Sequence, residues 1–205
     1  MENATFDFAD INWTILDVQG DRALVLSTYL IEEMYRTERS IYKQYTWIPQ
    51  YDYDGKKTTW ANSELRSWLS NTFLKKAFSA EERACILKSK IVDEPGEYFK
   101  QHRGSTTEDY VFCLSYQEMI EYEAWKKTGR APTRWNGEEW KLWFGNKTLK
   151  WRLRTLGQDY SQFVSVDATG GKGSTGIDKY FPEYLRPAMW VDVNLIKDYV
   201  QNLSQ

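Results

Sequence analysis

The sequence contains very little histidine and cysteine, and this limits the chemistry that it can support. Among 205 residues, His102 is the only histidine, and Cys85 and Cys113 are the only cysteines. A single histidine excludes zinc and iron sites built from several histidines and leaves one candidate for a histidine-based relay. His102 stands in a polar stretch, so we expect it to be exposed and not catalytic. Both cysteines stand in apolar patterns, which favours two buried free thiols, while a disulfide between them stays open.

Net charge and long apolar runs are also scarce. The formal net charge is −2, which gives no electrostatic reason to expect a nucleic-acid partner. The first twenty residues include Asp7, Asp10 and Asp17, and they contain no unbroken apolar core. We therefore expect no signal peptide, and no later run is long enough to predict a membrane span or a membrane partner. With 5 prolines and 12 glycines, flexible tethers are not expected, and we predict one domain over residues 1–205.

Aromatic residues are abundant by contrast, with 10 Trp, 14 Tyr and 9 Phe. Large rings fill the core of a loop-rich domain economically, and we expect most of the tryptophans to serve that purpose. A minority of the tyrosines is expected on a recognition surface, where rigid rings beside adaptable polar groups provide contact area.

The stretch 59–86 predicts the helices that hold the domain together. Apolar residues recur there at helical spacing and share one face, namely Leu65, Trp68, Leu69 and Phe73. Asn62 is predicted to cap this helix, since its side-chain oxygen can accept an orphan backbone N–H. Ser79 with Glu82 forms a capping-box pattern, which predicts a second helix that carries residues 85–86 inward.

Alternating and continuous apolar runs predict the strands. Residues 12–18 and 22–27 flank a Gln-Gly-Asp turn and predict a hairpin. The continuous run at 110–114 is typical of a central strand, and residues 87–109 before it read as a surface connection. A second capping-box pattern at Ser115 and Glu118 predicts a helix through Trp125. Further strands are predicted at 151–154, 163–166 and 185–191, followed by a tail helix at about 194–203.

These elements predict an α+β domain with a small mixed or antiparallel sheet, flanked by short helices and long loops. One core is expected, and it contains or borders Trp13, Leu24, Leu26, Leu65, Trp68, Leu69, Phe73, Phe78, Ile86, Val111, Phe112, Leu114, Leu153, Val164, Met189 and Trp190. Arg66 and Arg186 stand among packing residues, and we interpret both as planar forks that bind carbonyls or carboxylates where loops meet the sheet.

A glycine-rich segment, 171–176, matches the G-x-G-x-x-G pattern of dinucleotide sites. Such a site needs a helix N-terminus to hold the pyrophosphate, and residues 177–182 show no helical pattern. Gly173 also occupies the position where a phosphate-binding loop requires Ser or Thr. We therefore interpret the segment as a surface loop and expect no nucleotide cofactor.

Five motifs in this order resemble those of a bacterial and phage family, domain of unknown function 6273. They are Thr59-Trp60…Leu65-Arg66…Trp68-Leu69, Ala77-Phe78-Ser79…Glu82, Asp109-Tyr110-Val111-Phe112…Leu114-Ser115…Glu118, Trp151…Leu153-Arg154…Gly157 and Arg186-Pro187-Ala188-Met189-Trp190. The resemblance spans about residues 13–193 and implies a bacterial or phage origin. Without an export signal, the chain is expected to be cytoplasmic or phage-associated.

The final portion also resembles the C-type-lectin-like fold of formylglycine-generating-enzyme relatives and of retroelement-diversified variable proteins. That resemblance implies a ligand-binding face framed by a Trp-x-Leu-Arg strand, a Gly-rich excursion and an Arg-Pro-Ala strand. The oxidase chemistry of those relatives relies on a late cysteine pair, and residues 114–205 contain no cysteine. The resemblance therefore predicts the fold and a binding face, without that chemistry.

Two functions from different classes remain open. The first is a non-catalytic recognition domain for a protein, peptide or glycan, which the aromatic content and the lectin-like resemblance favour. The second is an enzyme that uses carboxylates and arginines, for example Asp159, Asp167, Arg152 and Arg154, on an unidentified small substrate. No catalytic residue is predicted, and no cofactor or metal is expected. Carboxylates of this kind can bind calcium, but no spacing in the sequence supports a calcium site.

The ligand is predicted to bind the loops between the strand at Trp151 and the strand at Leu185. This part of the chain has three loop-prone pieces, 155–162, 167–178 and 179–183. We expect them to meet at one end of a sheet and to form one continuous face. The predicted ligand-binding residues are Asp159, Tyr160, Asp167, Asp178, Tyr180 and Tyr184. Their combination of rings with carboxylates is typical of a recognition surface, although the rings could also tuck beneath the loops.

Overall fold

The computed structural model describes residues 4–28, 59–93, 104–124, 134–135, 138–139, 150–156, 163–167 and 185–197. Its strands are β1 (Thr5–Phe8), β2 (Ile11–Gln19), β3 (Arg22–Ser27), β4 (Ile86–Leu87), β5 (Ser89–Ile91), β6 (Thr107–Asp109), β7 (Arg134–Trp135), β8 (Glu138–Glu139), β9 (Lys150–Leu156), β10 (Phe163–Asp167) and β11 (Ala188–Asp192). Its helices are α1 (Glu64–Trp68), a π-helical segment (Leu69–Phe73), α2 (Leu74–Ala77), α3 (Ala80–Ala84) and α4 (Tyr116–Glu121). The predicted mixture of sheet and short helices is confirmed.

A five-stranded antiparallel sheet forms the centre, in the order β1-β2-β3-β11-β4. The predicted β2–β3 hairpin is confirmed, and its turn places Gly20 at φ +62°, which suits a residue without a Cβ. The late strand β11 inserts beside β3, pairing Ala188 with Leu26 and Asp192 with Arg22. The two ends of the described chain are thereby joined in one sheet.

Three two-stranded ladders accompany this sheet, namely β5–β6, β7–β8 and β9–β10. The β9–β10 ladder confirms the strands predicted at 151–154 and 163–166. The surface connection predicted for 87–109 is wrong in part, because β5 and β6 pair there from Ser89–Asp109 to Ile91–Thr107. Strands of three residues are too short to show a period, so the pattern did not reveal them.

Ser63, and not the predicted Asn62, caps α1. The Ser63 hydroxyl accepts a hydrogen bond from the Arg66 backbone N–H at 3.1 Å, while the Asn62 side chain accepts one from the Thr59 N–H at 2.6 Å. Ser and Asn both favour the N-cap position, so the turn before the helix determines which of the two residues caps it. The capping boxes predicted at Ser79 and Ser115 are both confirmed.

Two predicted helices are shorter than expected. Helix α3 ends at Ala84, and Ile86 is already in β4, where it pairs with Val191. Helix α4 ends at Glu121, and Glu123 adopts a left-handed φ of +49°, which does not continue a helix. The predicted end at Trp125 and most of the predicted tail helix lie outside the described residues.

The central strand predicted at 110–114 is not a strand, although Val111, Phe112 and Leu114 are fully buried. Its only ladder contact in the described residues is a bridge between Phe112 and Ala188. On its other side, the Leu114 carbonyl accepts a hydrogen bond from the Arg154 N–H at 2.9 Å. The segment therefore passes between β11 and β9 and connects the large sheet to the β9–β10 ladder.

The predicted core is confirmed. Every residue assigned to it is buried except Trp190, which is partly buried and borders the same cluster. The Trp13 and Phe73 rings both contact Phe78, with centroids at 6.2 and 5.8 Å. Cys85 and Cys113 are buried free thiols, as their apolar sequence patterns predicted.

Candidate functional site

Arg66 and Asp109 form a polar centre between α1 and β6, in which Asp109 is buried and Arg66 is partly buried. The Asp109 Oδ1 accepts a hydrogen bond from Arg66 Nε at 2.8 Å, and its Oδ2 accepts from Trp60 Nε1 at 3.0 Å and Thr107 Oγ1 at 2.6 Å. Arg66 also donates from Nη1 to the Ala61 carbonyl at 3.0 Å. The predicted fork role of Arg66 is confirmed, and a carboxylate bound by three donors is arranged to hold structure.

Arg154 forms a second such centre with Glu118. The guanidinium donates from Nη1 and Nη2 to the two Glu118 oxygens at 2.5 and 2.7 Å, and it also reaches the Cys113 and Val92 carbonyls. Glu118 at the same time closes the capping box by accepting from the Ser115 N–H at 2.8 Å. One carboxylate thus fixes the start of α4 and pairs a side chain that is 2% exposed.

Asp93 is a buried carboxyl with an unusual pKa. The residue is 5% exposed, and burial raises its pKa from 3.8 to about 6. The positive charge of Arg154 and the backbone N–H groups of Trp60 and Gly104 pull the pKa down, but burial outweighs them. The packing is tight, because a Cβ added at Gly104 would overlap Asp93 Oδ2.

Arg186 is also buried, and it differs from Arg66 and Arg154 in its partners. It is 0% exposed, and it donates from Nε and Nη2 to the Ser27 carbonyl at 2.8 and 2.5 Å and from Nη2 to the Thr28 carbonyl at 3.3 Å. Its Cζ lies 5.1 Å from the centre of the Trp151 ring. The predicted fork onto carbonyls is confirmed, and burial lowers the pKa of Arg186 to about 9.

Four residues lie next to Arg186 or next to one of its contacts. The Thr28 carbonyl accepts a hydrogen bond from it, and Leu185 precedes it in the chain. The Trp151 ring beside Arg186 belongs to β9, whose first residue, Lys150, pairs with Asp167 at the end of β10. We call this cluster, consisting of Thr28, Lys150, Asp167 and Leu185 around Arg186, the Arg186 end.

The opposite end of the β9–β10 ladder is about 20 Å away, because β9 has seven residues at about 3.3 Å each. There Leu156 pairs with Phe163, and residues 157–162 connect the two strands. The connection 168–184 instead leaves from the Arg186 end and returns to it at Leu185. The two connections therefore start at opposite ends of one ladder, which the sequence did not show.

Of the predicted ligand-binding residues, only Asp167 lies within the described part of the chain. Asp167 is the last residue of β10 at the Arg186 end, and only its backbone is described. The other five lie outside the described residues, with Asp159 and Tyr160 on one connection and Asp178, Tyr180 and Tyr184 on the other. Residues 155–156, predicted as loop, belong to β9.

Of the residues named for the enzymatic alternative, Arg152 and Arg154 lie within β9, and Asp159 lies outside the described residues. Arg152 and Arg154 are 4% and 2% exposed, and the two terminal nitrogens of Arg154 are occupied by Glu118 and carbonyls. Asp93, Asp109 and Glu118, which form the buried polar centres, were not predicted as a group. Asp109 and Glu118 appeared only inside motifs, and Asp93 follows a three-residue strand that has no visible pattern.

Within the residues that the structure describes, no three side chains of the histidine, cysteine, aspartate or glutamate type come together where they could hold a metal ion. The helices described there are also too short and too polar to cross a membrane.

Comparison with protein families finds one match. The model described as "Domain of unknown function (DUF6273)" matches residues 20–193, which agrees with the resemblance stated from the motifs. No curated protein and no solved structure matches the chain.

Proposed function

Because the chain belongs to the domain of unknown function 6273 family, whose name assigns no activity, we propose its function from its own geometry. We propose a non-catalytic recognition domain for a protein, peptide or glycan, with its binding face at the Arg186 end. Asp167, Asp178, Tyr180 and Tyr184 would supply the contacts. Asp159 and Tyr160, which follow β9 in the sequence, would extend this face.

The observation that carries the proposal is that Arg186 draws residues of β3, β9 and the start of β11 together. It donates to the Ser27 and Thr28 carbonyls and lies 5.1 Å from the Trp151 ring, and Lys150 before that ring pairs with Asp167. Connections that follow the ends of strands concentrate binding residues. The sequence from 168 to 184 follows Asp167 and contains tyrosines and carboxylates, the composition of a recognition surface.

The described frame is held together by its own ion pairs. Arg66 and Arg154 are each paired with a carboxylate, and β9 is buried from Trp151 to Leu156. Ion pairs of this kind specify geometry and do not need a substrate to be satisfied. This favours a scaffold that presents binding loops, rather than an enzyme with a catalytic centre within the frame.

We further propose that the fold is C-type-lectin-like, that the chain is of bacterial or phage origin, and that it acts in the cytoplasm or in a phage particle. The support is the shared arrangement of a Trp-x-Leu-Arg strand, an excursion of seventeen residues, 168–184, and an Arg-Pro-Ala strand that enters the main sheet. A solved experimental structure of this chain tests the first of these proposals directly.

Binding is tested with a glycan array and a peptide display library against three forms of the protein. The forms are wild type, Tyr180→Ala with Tyr184→Ala, and Asp159→Asn with Tyr160→Ala. We expect wild type to select a ligand and the first double variant to lose it. The second double variant lies on the opposite connection and reports whether the face extends that far.

Equal urea midpoints for the three forms establish that binding changes do not reflect unfolding. Selection of no glycan or peptide by the wild type would contradict the proposed function. Retention of full binding by the Tyr180 and Tyr184 variant, with loss in the other, would move the face to the opposite end.

A further inference from the structure

The β5–β6 ladder is short, and one of its faces is buried while the other faces solvent. Ile91 and Asp93 are 3% and 5% exposed, whereas Val92 between them is 42% exposed. On the solvent side, Lys88 pairs with Glu108 at 2.8 Å. Three residue pairs join the two strands. A two-stranded ladder of this length is marginally stable by itself, so its attachment to the domain depends on the contacts of its buried side.

Asp93, on that buried side, has no cation of its own. Within the described residues no ion pair includes Asp93, and its Oδ2 accepts no hydrogen bond. The positive charge that acts on it belongs to Arg154 of β9, whose Nη1 and Nη2 donate to the two oxygens of Glu118. Arg154 Nη2 also donates to the Val92 carbonyl at 3.1 Å and so holds the end of β5 against β9. Because Glu118 already neutralises Arg154, an ionised Asp93 adds a carboxylate that no cation balances.

The other charges next to Asp93 are balanced as well. The backbone N–H of Trp60 interacts with Asp93, and the indole N–H of Trp60 donates to Asp109. Asp109 in turn pairs with Arg66. Three carboxyl groups therefore meet two guanidinium groups, so this region is neutral only when one carboxyl group is protonated. We call these five side chains the Asp93 cluster, namely Asp93, Glu118, Asp109, Arg154 and Arg66.

We propose that Asp93 makes the β5–β6 ladder a pH-sensitive element, which is closed in mildly acidic solution and opens locally as the solution becomes neutral. An ionised Asp93 leaves one uncompensated charge in the cluster, and hydration of that carboxylate removes the cost of burying it. The ladder offers a short route to water, because Val92 is already exposed and three residue pairs have to separate. Such an opening exposes much less apolar surface than unfolding of the whole domain, so it requires less free energy.

The direction and the size of the effect follow from proton linkage. The pKa of Asp93 is about 6 in the closed state, and the ordinary value of 3.8 applies when the carboxyl group is hydrated. The closed state therefore binds the proton more tightly, so closure is favoured below pH 3.8 and is lost as the pH rises through 6. Between pH 5 and pH 8, the equilibrium constant for opening should increase about tenfold.

Native-state hydrogen exchange at low urea concentrations separates local opening from global unfolding. We expect the amides of Ser89–Ile91 and Thr107–Asp109 and the indole N–H of Trp60 to exchange through an opening that depends weakly on urea. The amides of β3 and β11 should exchange through global unfolding, with the full urea dependence. In wild type, the protection factors of the ladder amides should fall about tenfold from pH 5 to pH 8.

Two variants test the charge balance of the cluster. Asp93→Asn removes the unbalanced carboxylate, so the tenfold change should disappear. Glu118→Gln leaves two carboxylates for two guanidinium groups, so an ionised Asp93 gains Arg154 as its partner and the change should shrink to less than about threefold. Asp21→Asn, which removes an exposed carboxylate in the β2–β3 turn, is the control and should keep the tenfold change. Since wild type and Glu118→Gln both give a readout, the test does not require Asp93→Asn to fold.

Three results would overturn the proposal. Equal protection and equal urea dependence for the ladder and for β3 would mean that the ladder opens only with the whole domain. Ladder protection that stays constant from pH 5 to pH 8 in wild type would mean that the opening does not respond to pH. A tenfold change that persists in Asp93→Asn would assign the response to another group.

Discussion

Replacing Asp93 with asparagine should make the stability of the protein less dependent on pH. The folded-state pKa is about 6, and the ordinary value of 3.8 applies to the unfolded chain. Because the folded state holds the proton more tightly, the stabilisation is complete below pH 3.8 and is lost as the pH rises through 6. A difference of about two pKa units corresponds to about 3 kcal/mol.

The assay is urea unfolding followed by tryptophan fluorescence at pH 4, 5, 6, 7 and 8. Other titratable groups also contribute to the pH dependence of stability, so the informative quantity is the difference between Asp93→Asn and wild type at each pH. We expect this difference to shift in favour of Asp93→Asn by up to about 3 kcal/mol between pH 4 and pH 8. Any hydrogen bond that the amide makes poorly adds an offset that does not change with pH.

Asp21→Asn is the matched control, because Asp21 is an exposed carboxylate in the β2–β3 turn. Its difference from wild type gives the pH dependence that removal of an exposed carboxylate produces on its own. An Asp93→Asn difference that merely follows the Asp21→Asn difference would refute the reasoning, since it would mean that burial does not raise the pKa of Asp93. A carboxyl carbon titration by NMR gives the midpoint of Asp93 directly.

Three further substitutions test the frame. Trp68→Ala should lower the free energy of unfolding in urea by roughly 3–5 kcal/mol, because loss of a large buried ring leaves a cavity. An unchanged midpoint would show that the helical region is not part of the core. Gly104→Ala should cost about 1–3 kcal/mol, because its Cβ would overlap Asp93, and a thermal midpoint equal to that of wild type would contradict the packing. Glu118→Gln should cost about 2 kcal/mol by unpairing a buried guanidinium, whereas Glu121→Gln on the exposed side of the same helix should be neutral in the same assay.

The frame was predicted where local chemistry decides the structure. The hairpin around Gly20 and the capping boxes at Ser79 and Ser115 depend on neighbouring residues, and all three are confirmed. The core was predicted because apolar periodicity reports burial regardless of which element forms. That is also why 110–114 was placed correctly in the core and wrongly in a strand.

The contacts that define the candidate site depend on residues far apart in sequence. Arg186 binds the carbonyls of Ser27 and Thr28, which are 159 and 158 positions away, and no local pattern contains that information. The guanidinium role was predicted for Arg186 from its position among packing residues, but its partners were not. The opposite placement of the two connections likewise follows from the antiparallel β9–β10 register, in which Lys150 meets Asp167.

The most direct test of the central claim is to map the bound ligand onto the β9–β10 ladder by NMR. The backbone amides of Lys150, Asp167 and Leu185 mark the Arg186 end, and those of Leu156 and Phe163 mark the other end. With the ligand selected from the glycan array or the peptide library added, we predict chemical-shift changes that are concentrated at Lys150, Asp167 and Leu185. Changes confined to Leu156 and Phe163 would contradict a binding face at the Arg186 end.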